Sequence, residues 1–181
     1  MLKTIYGARQ SIRVMAYSFT SPAVAKALLE AKRRGVDVAV TVDYRNNVKA
    51  AAALGALAYA GVPVRVVRAF SMQHSKYVVC DETVETGSYN FSQAAARFNS
   101  ENVLVLSNHP EIARAYLDNW NQVTALGECV SRPIRASRSI FNPCGKAIPQ
   151  GSLRTNLVEQ LCLKQLFLGP ILSSSRRKRK R

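Results

Sequence analysis

The chain has 181 residues, and 48% of them are apolar, which excludes global disorder and allows the core of one ordinary domain. Its formal charge of +15 comes from 26 Lys and Arg against 11 Asp and Glu, a balance that attracts polyanions such as nucleic acid or anionic lipid. Residues 1–128 hold 14 basic and 10 acidic residues, whereas residues 129–181 hold 12 basic and one acidic. The strong basicity therefore belongs to the C-terminal third.

The first part of the chain alternates between predicted helices and strands, which is typical of crossover connections and a largely parallel sheet. The predicted elements are a short helix within residues 2–9, a strand at 11–19, a helix that begins at Thr20, Ser21 and Pro22 and ends at Gly35, a strand at 36–43, a helix at 47–59 and a strand at 62–67.

Two further strands follow, at 76–80 and 83–89, and the short turn between them predicts a hairpin. A strand at 100–107 and a helix at 110–126 complete a domain that is expected to end near residue 127. Residues 128–181 are predicted to form a basic, irregular or disordered tail with one short helix at 153–168. The tail ends in six consecutive basic residues. They are either solvated or bind the phosphate backbone of nucleic acid without sequence specificity.

The hairpin carries an unusual set of polar residues. His74 and Lys76 are two positions apart, so on a strand their side chains share a face. The return strand brings Ser88 and Asn90 back beside them, and Gly87 allows a close backbone approach. A nucleophile or base, a cation, a hydroxyl and an amide together suit a tetrahedral anion such as a phosphoryl group.

These residues resemble a known signature. His74-x-Lys76-x4-Asp81 followed by Gly87-Ser88-x-Asn90 is similar to the motif of the phospholipase D superfamily, and the likeness extends over residues 5–126 to its small single-motif bacterial endonucleases. The resemblance implies an α/β fold with a mixed, largely parallel sheet flanked by helices. This chain is N-terminally short against that pattern, so we expect the sheet to lack an edge strand, and it adds the basic C-terminal tail.

The resemblance also implies roles for individual residues. His74 would attack phosphorus and form a phosphohistidine, or act as the general acid on the partner chain, while Lys76, Ser88 and Asn90 would hold the phosphoryl oxygens. Glu101 would bond the second imidazole nitrogen and fix its tautomer. Asp81 would tie the hairpin rather than do chemistry. No metal or cofactor is expected. The candidate catalytic set is His74, Lys76, Asp81, Ser88, Asn90 and Glu101.

The chemistry predicts a homodimer. A phosphohistidine route needs a nucleophile on one side of phosphorus and an acid for the leaving oxygen on the other. The only other histidine, His109, precedes Pro110 and lacks a lysine two positions on, which is typical of a surface loop residue. The second catalytic histidine should therefore come from another copy of the chain, with one composite site on a two-fold axis.

One spacing departs from the family pattern. Five residues separate Asp81 from Gly87, where the family has about six, and we expect the difference to fall at the hairpin turn without changing the strand register. The sequence after residue 127 does not resemble the C-terminal end of the family. It is therefore either an extension or the result of a reading frame joined to unrelated sequence.

Three functions are consistent with these observations. The leading hypothesis is a metal-independent phosphodiesterase, most simply a nonspecific endonuclease on DNA or RNA. The alternatives are a phospholipase D that acts on phosphatidylcholine-type lipids and a truncated, non-catalytic nucleic-acid-binding protein. No export signal is visible in MLKTIYGARQ, so the sequence as given predicts a cytoplasmic protein, or a periplasmic or secreted one if the natural chain starts upstream.

Overall fold

A computed structural model describes residues 1–47 and 51–130 of the chain. Its sheet has seven strands in the order β6-β5-β4-β1-β2-β3-β7. The elements, in chain order, are α1 (Leu2–Gly7), β1 (Ser11–Ala16), α2 (Pro22–Arg33), β2 (Asp37–Asp43), α3 (Tyr44–Asn47), α4 (Ala51–Tyr59), β3 (Val64–Val67), β4 (Lys76–Cys80), β5 (Thr83–Gly87), α5 (Gln93–Phe98), β6 (Val103–Leu106), α6 (Pro110–Ala125) and β7 (Gly127–Cys129).

The mixed sheet flanked by helices is confirmed. Strands β1, β2 and β3 are parallel, as the alternation of helices and strands predicts. The parallel part is confined to these three strands, because β4 and β5 form the predicted hairpin and β6 and β7 also pair antiparallel with their neighbours. Crossover helices give the parallel pairs, whereas short turns permit only antiparallel ones.

Helices cover both faces of the sheet. Side chains that alternate along β1, β2 and β4 pack on one side against α1, α2 and α4, and on the other side against α6. Strand β2 is buried on both faces, which explains its nearly continuous apolar sequence. The indole of Trp120 in α6 donates to the carbonyl of Val14 at 3.0 Å, so this helix is fixed across the centre of the sheet.

Helix α2 begins and ends where its sequence predicts. The Ser21 side chain accepts from the backbone N–H of Val24, and Pro22 occupies the first helical position, where a missing N–H has no cost. Gly35 follows the helix with a φ of 90°, a backbone conformation that residues with a Cβ rarely adopt. The helix therefore delivers the chain directly into β2.

The hairpin turn contains two residues. Cys80 pairs with Thr83 and Tyr77 pairs with Thr86, so Asp81 and Glu82 make the whole turn. Asp81 has a φ of 52°, in the left-handed region that such tight turns use. The turn is therefore two residues long, and the pairing continues regularly from Cys80 to Tyr77.

Three elements were not predicted. Helices α3 and α5 are only 4 and 6 residues long, too short for a clear helical period, and β7 has 3 residues. Strand β7 pairs with β3 and carries the sheet to Cys129, past the expected domain end near residue 127. The predicted helix at 153–168 and the basic run lie outside the described residues.

Within the described part of the chain, none of the helices combines the length and apolar character needed to cross a bilayer.

Candidate active site

The predicted nucleophile lies at one edge of the sheet, where β1 ends and β4 begins. His74 is exposed and stands two residues before β4, whose first residue, Lys76, pairs with Ala16 at the end of β1. The Tyr17 ring meets the His74 imidazole edge to face, with 4.4 Å between ring centroids. This contact orients the imidazole at the rim of the domain while leaving it open to a ligand.

Lys76, the first residue of β4, places its ammonium group next to the predicted nucleophile. Its Nζ donates to the carbonyl of His74 at 2.7 Å and lies 4.9 Å from the centroid of the Tyr17 ring. Partial burial lowers the pKa of the Lys76 ammonium, and the nearby Glu101 carboxylate partly offsets that effect. Lys76 therefore presents a partly desolvated cation beside His74, which strengthens its attraction for an anionic group.

The return strand places a second polar group next to the first. The Ser88 hydroxyl donates to Glu101 and accepts from the backbone N–H of Asn102 at 3.0 Å. Asn99 Nδ2 donates to the other Glu101 oxygen at 2.8 Å. The hydrogen bonds from Ser88 and Asn99, with the charge of Lys76, hold the pKa of the Glu101 carboxyl below its ordinary value. Glu101 is therefore a fixed negative charge within the site.

Asn90 has an unsatisfied carboxamide. Its Oδ1 is buried and has no hydrogen-bond donor among the described residues. Buried polar atoms are nearly always paired, so this oxygen is an exception within the described residues. The phosphate-binding role of Asn90 stays a prediction.

Gly87 is required by a close backbone crossing. A Cβ at this position would lie 2.1 Å from the carbonyl oxygen of Asn102, which belongs to the backbone leading into β6. The same crossing carries the bond from the Ser88 N–H to that carbonyl, at 3.1 Å. Gly87 therefore lets the segment with Glu101 approach Ser88.

We expect Gly87→Ala to lower the free energy of unfolding by about 1–3 kcal/mol, because the backbone must shift to admit the new methyl group. Gly55→Ala is the matched control, since among the described residues no atom outside the adjoining helix backbone lies within 4 Å of its added Cβ. That change lies inside α4 and should raise stability by about 1 kcal/mol. Urea unfolding midpoints measure both, and equal shifts would contradict the close crossing at Gly87.

Asp81 lies far from the other motif residues. It is five positions along β4 from Lys76, about 17 Å away at the rise of a strand. Its carboxylate accepts from the backbone N–H groups of Arg9, Gln10 and Ser11 at 2.8–2.9 Å. Burial raises the pKa of the Asp81 carboxyl, but these three donors outweigh burial and hold the pKa below its ordinary value. Asp81 therefore joins the hairpin turn to the backbone that leads into β1.

This lowered pKa predicts a pH dependence of stability. The Asp81 carboxylate stabilises the fold at pH values above 3.8, its ordinary pKa, and that contribution is lost as the pH falls through the lower pKa of the folded state. Between about pH 5 and about pH 3 we expect the unfolding midpoint of the wild type to fall more steeply than that of Asp81→Asn. Glu82→Gln, in the same turn, should retain the wild-type slope, and a parallel loss in all three proteins would refute the prediction.

One predicted contact is not made within the described residues of one chain. Glu101 bonds Ser88 and Asn99, and no hydrogen bond joins it to the His74 ring within residues 1–47 and 51–130. The role of Glu101 in orienting His74 stays a prediction.

His109 lies at the start of α6, where its exposed ring contacts Glu111 at 3.2 Å, as expected for a surface histidine.

Two residues that shape the candidate site, Tyr17 and Asp43, were not predicted from the sequence. Tyr17 contacts both His74 and Lys76, and its position directly after β1 was the available signal, because strand ends at a parallel sheet edge collect functional side chains. The buried Asp43 ends β2, and its Oδ2 accepts from the backbone N–H of Gln73 at 3.0 Å. Asp43 thereby fixes the segment that leads to His74.

No group of three or more His, Cys, Asp or Glu side chains lies close enough to hold a metal ion in the part of the chain that the structure describes.

The sheet, the hairpin and its polar end define a phospholipase D-like domain. The family described as "Cardiolipin synthase, PLD-like domain" matches residues 1–124, and the chain belongs to this phospholipase D superfamily.

Among solved structures, the chain is similar to Nuc, a phospholipase D family member from Salmonella typhimurium. The two are 44% identical with a TM-score of 0.71, and the match covers 72% of this chain and 88% of that one.

Two curated relatives have lipid-related names. A protein named phospholipase D from Rickettsia bellii is 36% identical over 114 residues, which are 62% of this chain and 56% of the relative. A mitochondrial cardiolipin hydrolase from Xenopus laevis is 36% identical over 124 residues, 68% of this chain and 59% of the relative. The chain thus spans less than two thirds of the length of these relatives.

Proposed function

We propose that the protein is a metal-independent phosphodiesterase that acts as a nonspecific endonuclease through a phosphohistidine intermediate. The observation that carries this proposal is the convergence of His74, Lys76 and the Ser88–Glu101 pair at one open edge of the sheet. A nucleophile, a partly desolvated cation and fixed polar groups are what displacement at an anionic phosphorus centre requires.

The proposed reaction has two displacements. An imidazole nitrogen of His74 attacks phosphorus, the bond from phosphorus to the leaving oxygen breaks, and the second histidine gives that oxygen a proton. Water then attacks the phosphohistidine, gives its proton to the second histidine and releases the phosphomonoester. Lys76, Ser88 and Asn90 stabilise the phosphoryl oxygens, and Glu101 orients the imidazole.

The second histidine is proposed to be His74 of another copy of the chain. Strand β6 is an edge strand, and Val103, Leu104 and Val105 are 49–54% exposed although successive residues point to opposite faces. Uncovered apolar edges are unusual in monomers. Val103 pairs with Gly87, so this surface is continuous with the site, and a second copy bound to β6 would bring two sites together.

The small domain favours a polynucleotide over a lipid as substrate. Within the described residues, the pocket beside Lys76 and Gly87 has a volume of only about 10 Å³, so it cannot enclose an acyl chain. The names of the Rickettsia and Xenopus relatives keep phospholipid as the second candidate.

A direct test compares substrates for the full chain in EDTA. We expect hydrolysis of bis(p-nitrophenyl) phosphate and cleavage of single-stranded and plasmid DNA, with no release of choline from phosphatidylcholine vesicles. Choline release without DNA cleavage would establish the lipid alternative. DNA retention without hydrolysis of any of these diesters would establish the non-catalytic binding protein.

A further inference from the structure

A second pocket lies at the same edge of the sheet as His74. Its volume is about 190 Å³. It is formed where β2 and β3 end, and β4 begins at this edge because it runs antiparallel to β1. The lining residues are Asp43, Tyr44, Arg45, Val67, Arg68 and Phe70.

The floor of this pocket is linked to the segment that holds the nucleophile. Asp43 Oδ2 accepts from the backbone N–H of Gln73, the residue before His74. The other Asp43 oxygen accepts from the backbone and side-chain nitrogens of Asn46, at 2.9 and 3.1 Å. The buried carboxylate is therefore compensated by amide donors, and a ligand in the pocket would lie beside the reacting group.

Two arginines give the pocket its charge. The Arg68 guanidinium lies over the Tyr44 ring, 3.2 Å from its centroid, and its Nε is 3.5 Å from a carboxylate oxygen of the exposed Glu128. These contacts preorganise Arg68. Arg45 is exposed and has no hydrogen-bond or ion-pair partner among the described residues. One guanidinium is held in place, and the other is available to a ligand.

Aromatic side chains accompany the arginines. Tyr44 and the partly buried Phe70 line the same pocket. Guanidinium groups with aromatic rings are the combination that binds single-stranded nucleic acid, the cations contacting phosphate and the rings contacting bases. A volume of 190 Å³ is below the range of about 300–1,000 Å³ for pockets that enclose a whole ligand, and suits one unit of a longer polymer.

We propose that this pocket binds the nucleotide next to the scissile phosphodiester of a single strand. Arg45 and Arg68 contact its phosphate, and Phe70 contacts its base. This inference rests on the proposed nuclease function and adds the subsite that positions the strand. A phosphatidylcholine molecule has no second phosphate to occupy the subsite, so the pocket favours substrates in which phosphodiesters repeat.

Binding of a fluorescent single-stranded oligonucleotide to the full chain tests this subsite, with His74→Asn in every protein so that cleavage does not interfere. We expect Arg45→Gln to raise Kd about tenfold. The slope of log Kd against log salt should fall by about 0.7, the share of one phosphate contact on a single strand. Phe70→Leu should raise Kd about fivefold with little change in the salt slope.

Arg33→Gln is the matched control. Arg33 is an exposed arginine at the end of α2, which leads into the opposite end of β2, so its Kd should match that of the parent. Equal values for Arg45→Gln and Arg33→Gln would overturn the proposal. It would also be overturned if Arg45→Gln weakened binding to cardiolipin vesicles, whose lipid carries two phosphates, but not to the oligonucleotide. Failure of the wild type to hydrolyse bis(p-nitrophenyl) phosphate would overturn the proposed enzyme and leave this binding result independent.

Discussion

Replacement of His74 by asparagine is expected to lower hydrolysis of bis(p-nitrophenyl) phosphate by at least about 10⁴-fold, because the reaction loses both its nucleophile and its acid. His74 is exposed, and Tyr17 is the only ring that it contacts among the described residues, so the unfolding free energy should change by less than about 0.5 kcal/mol. Initial rates in EDTA and urea unfolding midpoints measure the two effects.

His109→Asn is the control, since it removes the other histidine, whose ring hydrogen-bonds only Glu111 among the described residues. It should retain the wild-type rate. Wild type that has turned over an oligonucleotide labelled at its backbone phosphates and is quenched in neutral detergent should carry label that acid releases, and His74→Asn should carry none. Retention of more than a tenth of the wild-type rate by His74→Asn would rule out this nucleophile.

Introduction of a charge on β6 is expected to separate the two copies of the chain. In the proposed dimer, Val105→Asp would place two carboxylates near the two-fold axis of an apolar interface, and such like-charge contacts cost several kcal/mol. We expect a monomer at micromolar concentration and a loss of hydrolysis of at least about 100-fold. Analytical ultracentrifugation and rate measurements on the same sample report both.

Tyr59→Asp is the control for this surface. Tyr59 is 74% exposed at the end of α4, away from β6, so the change adds the same charge without affecting the proposed interface. A Val105→Asp monomer with the wild-type rate would show that each chain carries a complete site.

The proposed composite site also predicts that an inactive variant inhibits wild-type chains by forming mixed dimers with them. Refolding wild type with a tenfold excess of His74→Asn places nearly every wild-type chain beside an inactive partner. Activity per wild-type chain should then fall to about a tenth if both histidines serve one site. Unchanged activity per chain would favour independent sites, and Lys3→Gln, on the surface of α1, provides an exchange control that should have no effect.

Much of this architecture was accessible from sequence because local patterns and long-range packing agree. The apolar run of β2, the serine–proline start of α2 and the residues of the hairpin each predict the element that forms. The hairpin follows from spacing, since its two-residue turn fixes the register. That register runs toward a pairing of Lys76 with Gly87, so strand alternation does not bring Ser88 to Lys76, and the two are linked through Glu101.

The remaining features depend on register between distant segments. Tyr17 meets His74 because β4 pairs antiparallel with β1, and no pattern in either segment specifies that pairing. Glu101 bonds Ser88 and Asn99 because the backbone before β6 crosses close to Gly87. The pocket at Arg45 and Arg68 combines the ends of two parallel strands, which are separated by a whole crossover in the chain.

The crossing at Gly87 also bears on how this gene can drift. Every amino-acid replacement of a glycine introduces a Cβ. At Gly87 that Cβ would clash with the carbonyl oxygen of Asn102, whatever the rest of the new side chain is. Conservative and radical replacements thus begin with the same steric conflict. A lineage that keeps this fold should therefore retain glycine at this position.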